Sequence, residues 1–289
     1  MLLVLALATE TTSKAPVKRI PLKSPLQLQK NPHIHNVNFY DKKSFIDGTV
    51  YAQSHYTKKD YSIKGGIVPH HLLPGFIIAD FFHHLSVQNP KTVIVIGPNH
   101  YELGNFKILT SLYAWKTPFG IVQPNIPLTQ ELINQNVLKV DENVLPRDHS
   151  VSAMMPFMKY YLPKAHVVPI LVSGKLTQDE SRIFSQQLHS ILDENTVVIA
   201  TVDFSHYLSK AEATEKDLMT KKVLRSFDYN RLYALNNDYL DSPPSIGILL
   251  MLMQKEHATH SDILFNTNSG EIEHENFSPT TSYFSILYY

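Results

Sequence analysis

Beyond about residue 60 the chain alternates between two hydrophobic periods. Positions 65–69 (GGIVP) close one short apolar run. Positions 72–85 then carry apolar residues at 73, 76, 77, 81 and 85, the spacing of one helix face. Positions 92–97 (TVIVIG) form an unbroken β-branched run, the pattern of a strand covered on both faces. Positions 166–172 (HVVPILV) and 196–202 (TVVIATV) read the same way, although Pro169 weakens the former because it lacks a ladder donor. Between them, Thr177-Gln178-Asp179-Glu180 matches a capping box that opens a helix to about Leu192. Positions 209–227 are amphipathic at helical spacing. Ser245 is placed to cap a helix over 246–254, with Pro243 and Pro244 ending the loop before it. Positions 283–288 read as a final strand. Strands alternating with helices predict a single α/β domain whose central sheet is largely parallel or mixed, with helices on both faces.

The N-terminal stretch breaks this rhythm. Residues 9–35 are rich in Thr, Lys and Pro and lack periodicity, so 1–35 read as a leader or disordered linker and 36–289 as the domain. Residues 1–8 (MLLVLALA) end in an A-x-A pattern but lack a basic start, which leaves a signal-peptide remnant as one reading of them. The expected location is the cytoplasm, with export as the alternative if that remnant is real. No later apolar run is long enough to span a bilayer.

Charge and cysteine content narrow the chemistry. Lys plus Arg number 26, as do Asp plus Glu, so no basic field exists to attract nucleic acid. The chain has no cysteine, which removes disulfides, thiolate metal sites and cysteine nucleophiles. A metal would have to be held by nitrogen and oxygen, and 15 histidines offer the nitrogen.

In open parallel sheets, ligands bind beyond the carboxyl ends of the strands. Polar clusters fall at such places: Pro69-His70-His71, Pro98-Asn99-His100, and Asp203-Phe204-Ser205-His206. Taken singly each has a bland explanation. His70 or His100 alone reads as a satisfied loop histidine, Asp203 as a helix cap, Asp241 as a turn residue, and His149 in Arg147-Asp148-His149-Ser150 as a solvated loop. These three clusters together with the one around His149, four in one chain, point instead to a shared polar site.

The ordered blocks GGIVPHH, VIVIGPNH, RDHSVSAMMPF, TVDFSHY and SPPSIGILL, with SYFSILYY at the end, resemble those of the Memo family, the group that includes AmmeMemoRadiSam system protein B. The resemblance covers roughly residues 60–289. It implies a fold like that of class III extradiol dioxygenases and a divalent metal ion (Fe, Zn, Mn or Cu) at the strand-end rim. The implied metal ligands are His70 and His100, with His71 as the alternative to His70. The family's third ligand is usually Cys; counting back six residues from Gly247 puts Asp241 there, with Asp238 as the fallback. A carboxylate at this position implies a two-His-one-carboxylate set, which favours Fe(II), Mn or Zn over Cu(I). His206 and His149 are the implied proton-transfer residues, and Asp203 an orienter of an imidazole. The family's Glu after His149 is replaced by Ser152, which puts that block's role in doubt. Three functions follow: a metal-dependent oxygenase acting on a small molecule, a metal-dependent hydrolase, or a non-catalytic metal-binding adaptor. Partnership with AMMECR-type and radical SAM proteins is implied by resemblance alone.

Overall fold

A computed structural model describes residues 33–275 and 279–289. The expectations for residues 1–32, the signal-peptide remnant among them, lie outside the described residues. In chain order, β1 (Ile34–Asn36) leads to α1 (Lys42–His55), β2 (Gly65–Val68), α2 (Gly75–Gln88) and β3 (Thr92–Pro98). Next come β4 (Ile108–Thr110), β5 (Ala114–Thr117), β6 (Gly120–Pro124), α3 (Ile126–Asn134) and β7 (Lys139–Val140). A 3-10 turn over Leu145–Arg147 precedes α4 (His149–Ser152), α5 (Met154–Tyr161) and β8 (His166–Val172). The chain continues through α6 (Gln178–His189), β9 (Thr196–Thr201), β10 (His206–Leu208), α7 (Lys210–Ser226) and α8 (Tyr229–Leu232). It closes with α9 (Pro243–Lys255), β11 (Ser261–Asn268), α10 (Ser269–Ile272) and β12 (Thr280–Tyr288).

The strands form one mixed sheet whose main path runs β1-β5-β6-β8-β3-β9-β2-β12-β10. Its centre is parallel: β6, β8, β3, β9 and β2 all run the same way. β12 adds antiparallel to β2, and β11 pairs antiparallel with β12. The sequence predicted this α/β sheet with helices on both faces. Side-chain alternation explains it: Ile94, Ile96, Val168, Ile170, Val198 and Ala200 face α6, α7 and α9, whereas Val93, Val95, Val167, Leu171, Val197 and Ile199 face α1, α2 and α5. Each fully buried aliphatic side chain in these layers contributes about 1.5–3 kcal/mol by leaving water.

Pro169 is accommodated within β8. On that strand's outer side, β6 pairs through residue 167 and β4 pairs from residue 170. Pro169 falls in the gap, where no ladder donor is required. The helix ends follow local chemistry. Thr177 and Ser209 each close a capping box on α6 and α7. α9 starts earlier than the sequence suggests: Ser242 caps it, and Pro243 occupies the first turn, where a missing N–H is harmless. β1 takes in Ile34 and His35, which the sequence reading placed in the leader.

Candidate metal centre

β3, β9 and β2 are adjacent and parallel, so their carboxyl ends open on one rim. His70 follows β2, His100 follows β3, and Asp203 follows β9. Asp241 arrives from far along the chain. Its loop is fixed by an antiparallel bridge between Phe204 and Leu240 and by the Asp241 N–H, which donates to the Asp203 carbonyl at 3.1 Å. These backbone contacts put the Asp241 carboxylate over the strand ends.

The donor atoms converge. Asp241 Oδ2 lies 3.2 Å from His70 Nε2 and 3.6 Å from His100 Nε2, and Asp203 Oδ2 lies 3.5 Å from His70 Nε2. Among the described residues, two sets of donors fall within 4.8 Å of one another: His70, His100 and His149, and His70, Asp203 and Asp241. Both candidate imidazole ligands are anchored through their other nitrogen. His70 Nδ1 contacts Thr201 Oγ1 at 3.0 Å and the Thr201 carbonyl at 3.2 Å. His100 Nδ1 contacts Asp148 Oδ1 at 2.9 Å. This fixes each ring with Nε2 facing the centre, the usual support for a metal-ligating histidine.

The electrostatics match a site built around positive charge. Burial alone would lower the His70 pKa, but the Asp203 and Asp241 carboxylates outweigh it and hold it above its ordinary value. Burial likewise opposes charge on His100, yet the hydrogen bonds it donates to the Asp148 and Asp241 carboxylates push its pKa up to about 10. Burial would raise Asp241, but His70 and His100 hold its carboxyl well below the usual range. Asp241 Oδ1 is buried without a partner. A buried carboxylate oxygen left without a donor is costly, and a cation would supply its missing partner. The residues present therefore fit a divalent ion held by nitrogen and oxygen.

His149 stacks on His100, with ring centroids 4.4 Å apart and planes 13° from parallel. Burial and the nearby His70 and His100 push its pKa down to about 4, so its imidazole is neutral at pH 7. The chain reaches this place because Gly97 has no side chain: a Cβ there would meet Ser150 Oγ at 2.6 Å. Ser150 Oγ donates to the Pro98 carbonyl, and Thr201 Oγ1 donates to the Ser150 carbonyl. Ser152, where the resemblance implied a Glu, is buried and donates to the carbonyl of Asp148, the residue that caps α4.

Other expectations fall differently. His71 turns away, its Nδ1 2.6 Å from the Tyr283 hydroxyl. Asp238 is exposed in a turn on Asn236. His206 belongs to β10 and joins neither donor set; its Nδ1 is buried without a partner. Asp203 does not hold an imidazole Nδ1. Its Oδ1 accepts the backbone N–H groups of His70 and His71, while Thr201 and Asp148 take the orienting role. Sequence reasoning missed Thr201, although it directly precedes Val202-Asp203 at the end of β9.

A mixed α/β sheet with imidazoles and carboxylates gathered beyond three neighbouring parallel strands defines a protein with a candidate strand-end metal centre. Comparison with known proteins makes this particular. Residues 38–286 match the family model described as Memo-like protein. A MEMO1 family protein of Methanococcus maripaludis (strain C5) is 30% identical over 244 residues, covering 79% of this chain and 85% of the relative. One from Sulfurisphaera tokodaii is 27% identical over 233 residues, covering 77% and 81%. The chain belongs to the Memo-like family. In fold it is also similar to an uncharacterized protein of Escherichia coli K12, with a TM-score of 0.53 at 12% identity, over 78% of this chain and 99% of that one. No described helix is long and apolar enough to cross a membrane.

Proposed function

We propose that this chain binds one divalent cation through His70, His100 and Asp241 and uses it in oxygen chemistry on a small substrate. The observation that carries the reading is the convergence of two Nδ1-anchored imidazoles on one buried carboxylate. A cation held there would supply Lewis acidity and, as Fe(II), electrons for dioxygen. The chain itself supplies proton handling and shape. His149 is neutral and part-exposed beside the ligands, placed to accept a proton from a substrate hydroxyl. Phe39, with its ring 5.5 Å from His149, provides an apolar wall on that side.

Metal-dependent hydrolysis is a second reading, favoured by the same neutral imidazole, which would serve equally as base toward an attacking water. Metal analysis of protein purified without added metals separates them. Stoichiometric iron, and oxygen uptake with catechols after anaerobic Fe(II) loading, supports the oxygenase. Zinc without iron, together with hydrolysis of activated esters, supports the hydrolase. Absence of any bound metal after loading with either ion refutes both.

A further inference from the structure

We infer that the cavity between α1, the loop after β2 and α10 is a second ligand site, which takes an organic ammonium ion with apolar substituents. Its volume is about 650 Å³, within the roughly 300–1,000 Å³ usual for small-ligand sites. None of the residues proposed to hold a metal lines it, so it stands independently of the metal reading. The cavity follows from how two helices meet. α1 and α2 touch where Gly48 faces Gly75: a Cβ on Gly48 would lie 2.6 Å from the Gly75 carbonyl oxygen. Beside this contact the Ser44 hydroxyl donates to the Leu72 carbonyl and ties the loop to α1. Leu72, Leu73 and Ile272 line the hollow next to it.

Two aromatic rings form one corner of the cavity. Tyr51 and Phe76 are half-buried, with centroids 5.1 Å apart and planes at 63°. Phe265 backs them, 5.5 Å from Phe76 and 6.2 Å from Tyr51. His55 stacks on Tyr51 at 4.0 Å and covers one face of that ring. A cation within about 6 Å of a ring centroid is attracted by the negative face of the ring. Two rings at this angle can meet one small cation from two sides. Among the described residues no Lys or Arg nitrogen lies over Tyr51 or Phe76, so the chain's own cations do not use these rings.

The charges agree with the rings. Asp41 and Asp47 line the cavity, and Glu271 and Glu273 flank Ile272 in the chain. The one lining ammonium, Lys43, is held by Asp47 at 2.6 Å. An anion is disfavoured at this end of α1, because Asp41 Oδ1 already accepts the Ser44 N–H at 2.6 Å and caps the helix. Among the described residues neither Asp41 nor Asp47 belongs to a set of three metal donors. That argues against a bare metal ion and for a cation whose charge is spread over apolar groups. His71, fixed through Nδ1 to the Tyr283 hydroxyl, offers its other nitrogen to a hydroxyl on the ligand.

The probes are choline and 3,3-dimethylbutan-1-ol, which has the same shape with carbon in place of the charged nitrogen. Calorimetric titration of the full chain is expected to show choline binding about tenfold or more tighter than the alcohol. Equal binding of the two, or no choline binding at about 10 mM, overturns the inference. Tyr51→Leu and Phe76→Leu keep an apolar wall; each is expected to weaken choline about fivefold and to leave the alcohol unchanged. Asp41→Asn removes a charge but keeps the helix cap, since Asn caps as well as Asp, so it serves even if the aromatic variants do not fold. It is expected to weaken choline about threefold. Unchanged choline affinity in Asp41→Asn, or in a folded aromatic variant, overturns the inference. Chelator-treated protein is expected to bind choline as tightly as untreated protein. Loss of binding there would move the ammonium to the metal centre and overturn the second site, while leaving the metal reading intact.

Discussion

Asp148 offers a sharp test of how the centre is held, because its carboxylate has three jobs within 1% exposure. Oδ1 contacts His100 Nδ1 at 2.9 Å and accepts the Ser150 N–H at 2.9 Å, and Oδ2 accepts the His100 N–H at 2.7 Å. Every partner on this carboxylate is a donor when His100 ligates through Nε2. Asp148→Asn keeps the shape but replaces one acceptor by an NH2 group. Facing the His100 backbone, that group meets another donor. Facing the ring, it satisfies Nδ1 only if the imidazole switches tautomer, and the proton then sits on the nitrogen needed for the metal. The buried mismatch costs about 1–3 kcal/mol, against a total stability of about 5–15 kcal/mol, so the variant still folds. Losing a partner of this kind lowers metal affinity about 10–100-fold, or about 1.4–2.7 kcal/mol. Zn(II) competition against a fluorescent chelator at pH 7 measures it, with thermal unfolding as the check on folding. A folded Asp148→Asn protein whose Kd stays within about threefold of wild type would show that the carboxylate does not orient His100.

Two further predictions concern stability. Burial pushes Asp80 up to about 6 and His84 down to about 4, and His84 Nε2 lies 3.6 Å from Asp80 Oδ2. The raised Asp80 contributes stability that is lost as pH rises from 3.8 through about 6; the depressed His84 contributes stability that is lost as pH falls from 6.5 through about 4. Relative to wild type, Asp80→Asn should therefore gain stability as pH rises across 4–6, and His84→Gln should gain it as pH falls across the window from 6.5 to 4, both read by urea unfolding; parallel curves would contradict this. Gly97→Ala would press its Cβ on Ser150 Oγ at 2.6 Å and on Ser150 Cβ at 2.8 Å. It should cost about 1–3 kcal/mol in chemical denaturation and weaken Zn(II) binding by displacing Asp148 and His149; unchanged binding at lowered stability would separate the packing from the site.

Much of this architecture was legible in the chain because the central strands are covered on both faces and α2, α6, α7 and α9 carry a periodic apolar face or a capping signature. What escaped notice has a physical reason in each case. α1 buries Phe45, Gly48 and Ala52, and two of these are small, because the helix crosses α2 at Gly75. A contact surface made of small residues leaves no hydrophobic period to read. β11 is only half-buried along most of its length, so its alternation is weak. At the centre, the rule that places ligands beyond strand ends marked the clusters that hold His70 and His100, and the family resemblance singled out the two residues. Asp241 was reachable only by counting residues, since its position depends on the bridge between Phe204 and Leu240. Thr201 and Asp148 were not readable as orienting groups, because that requires the strand order β3-β9-β2. His206 looked like a third strand-end histidine, yet beyond Ser205 the chain pairs with β12 and leaves it outside the donor sets.

The carboxylate at position 241 can itself be put to the test by giving the chain the cysteine that the family resemblance implies there. Because two backbone contacts fix this loop, Asp241→Cys should place Sγ close to where the carboxylate stood. The side chain is one atom shorter, but the Zn–S distance of about 2.3 Å exceeds Zn–O by about 0.1–0.3 Å, which offsets part of the lost reach. The substitution also removes Asp241 Oδ1, the buried acceptor without a partner. Zn(II) binding should persist, and a softer sulfur donor should raise affinity for Cu(I) relative to Mn(II). Competition titrations with the three metals read this directly. A variant that folds but takes up no Zn(II) would mean that position 241 does not face the ion, and the donor set drawn from the carboxylate geometry would be wrong.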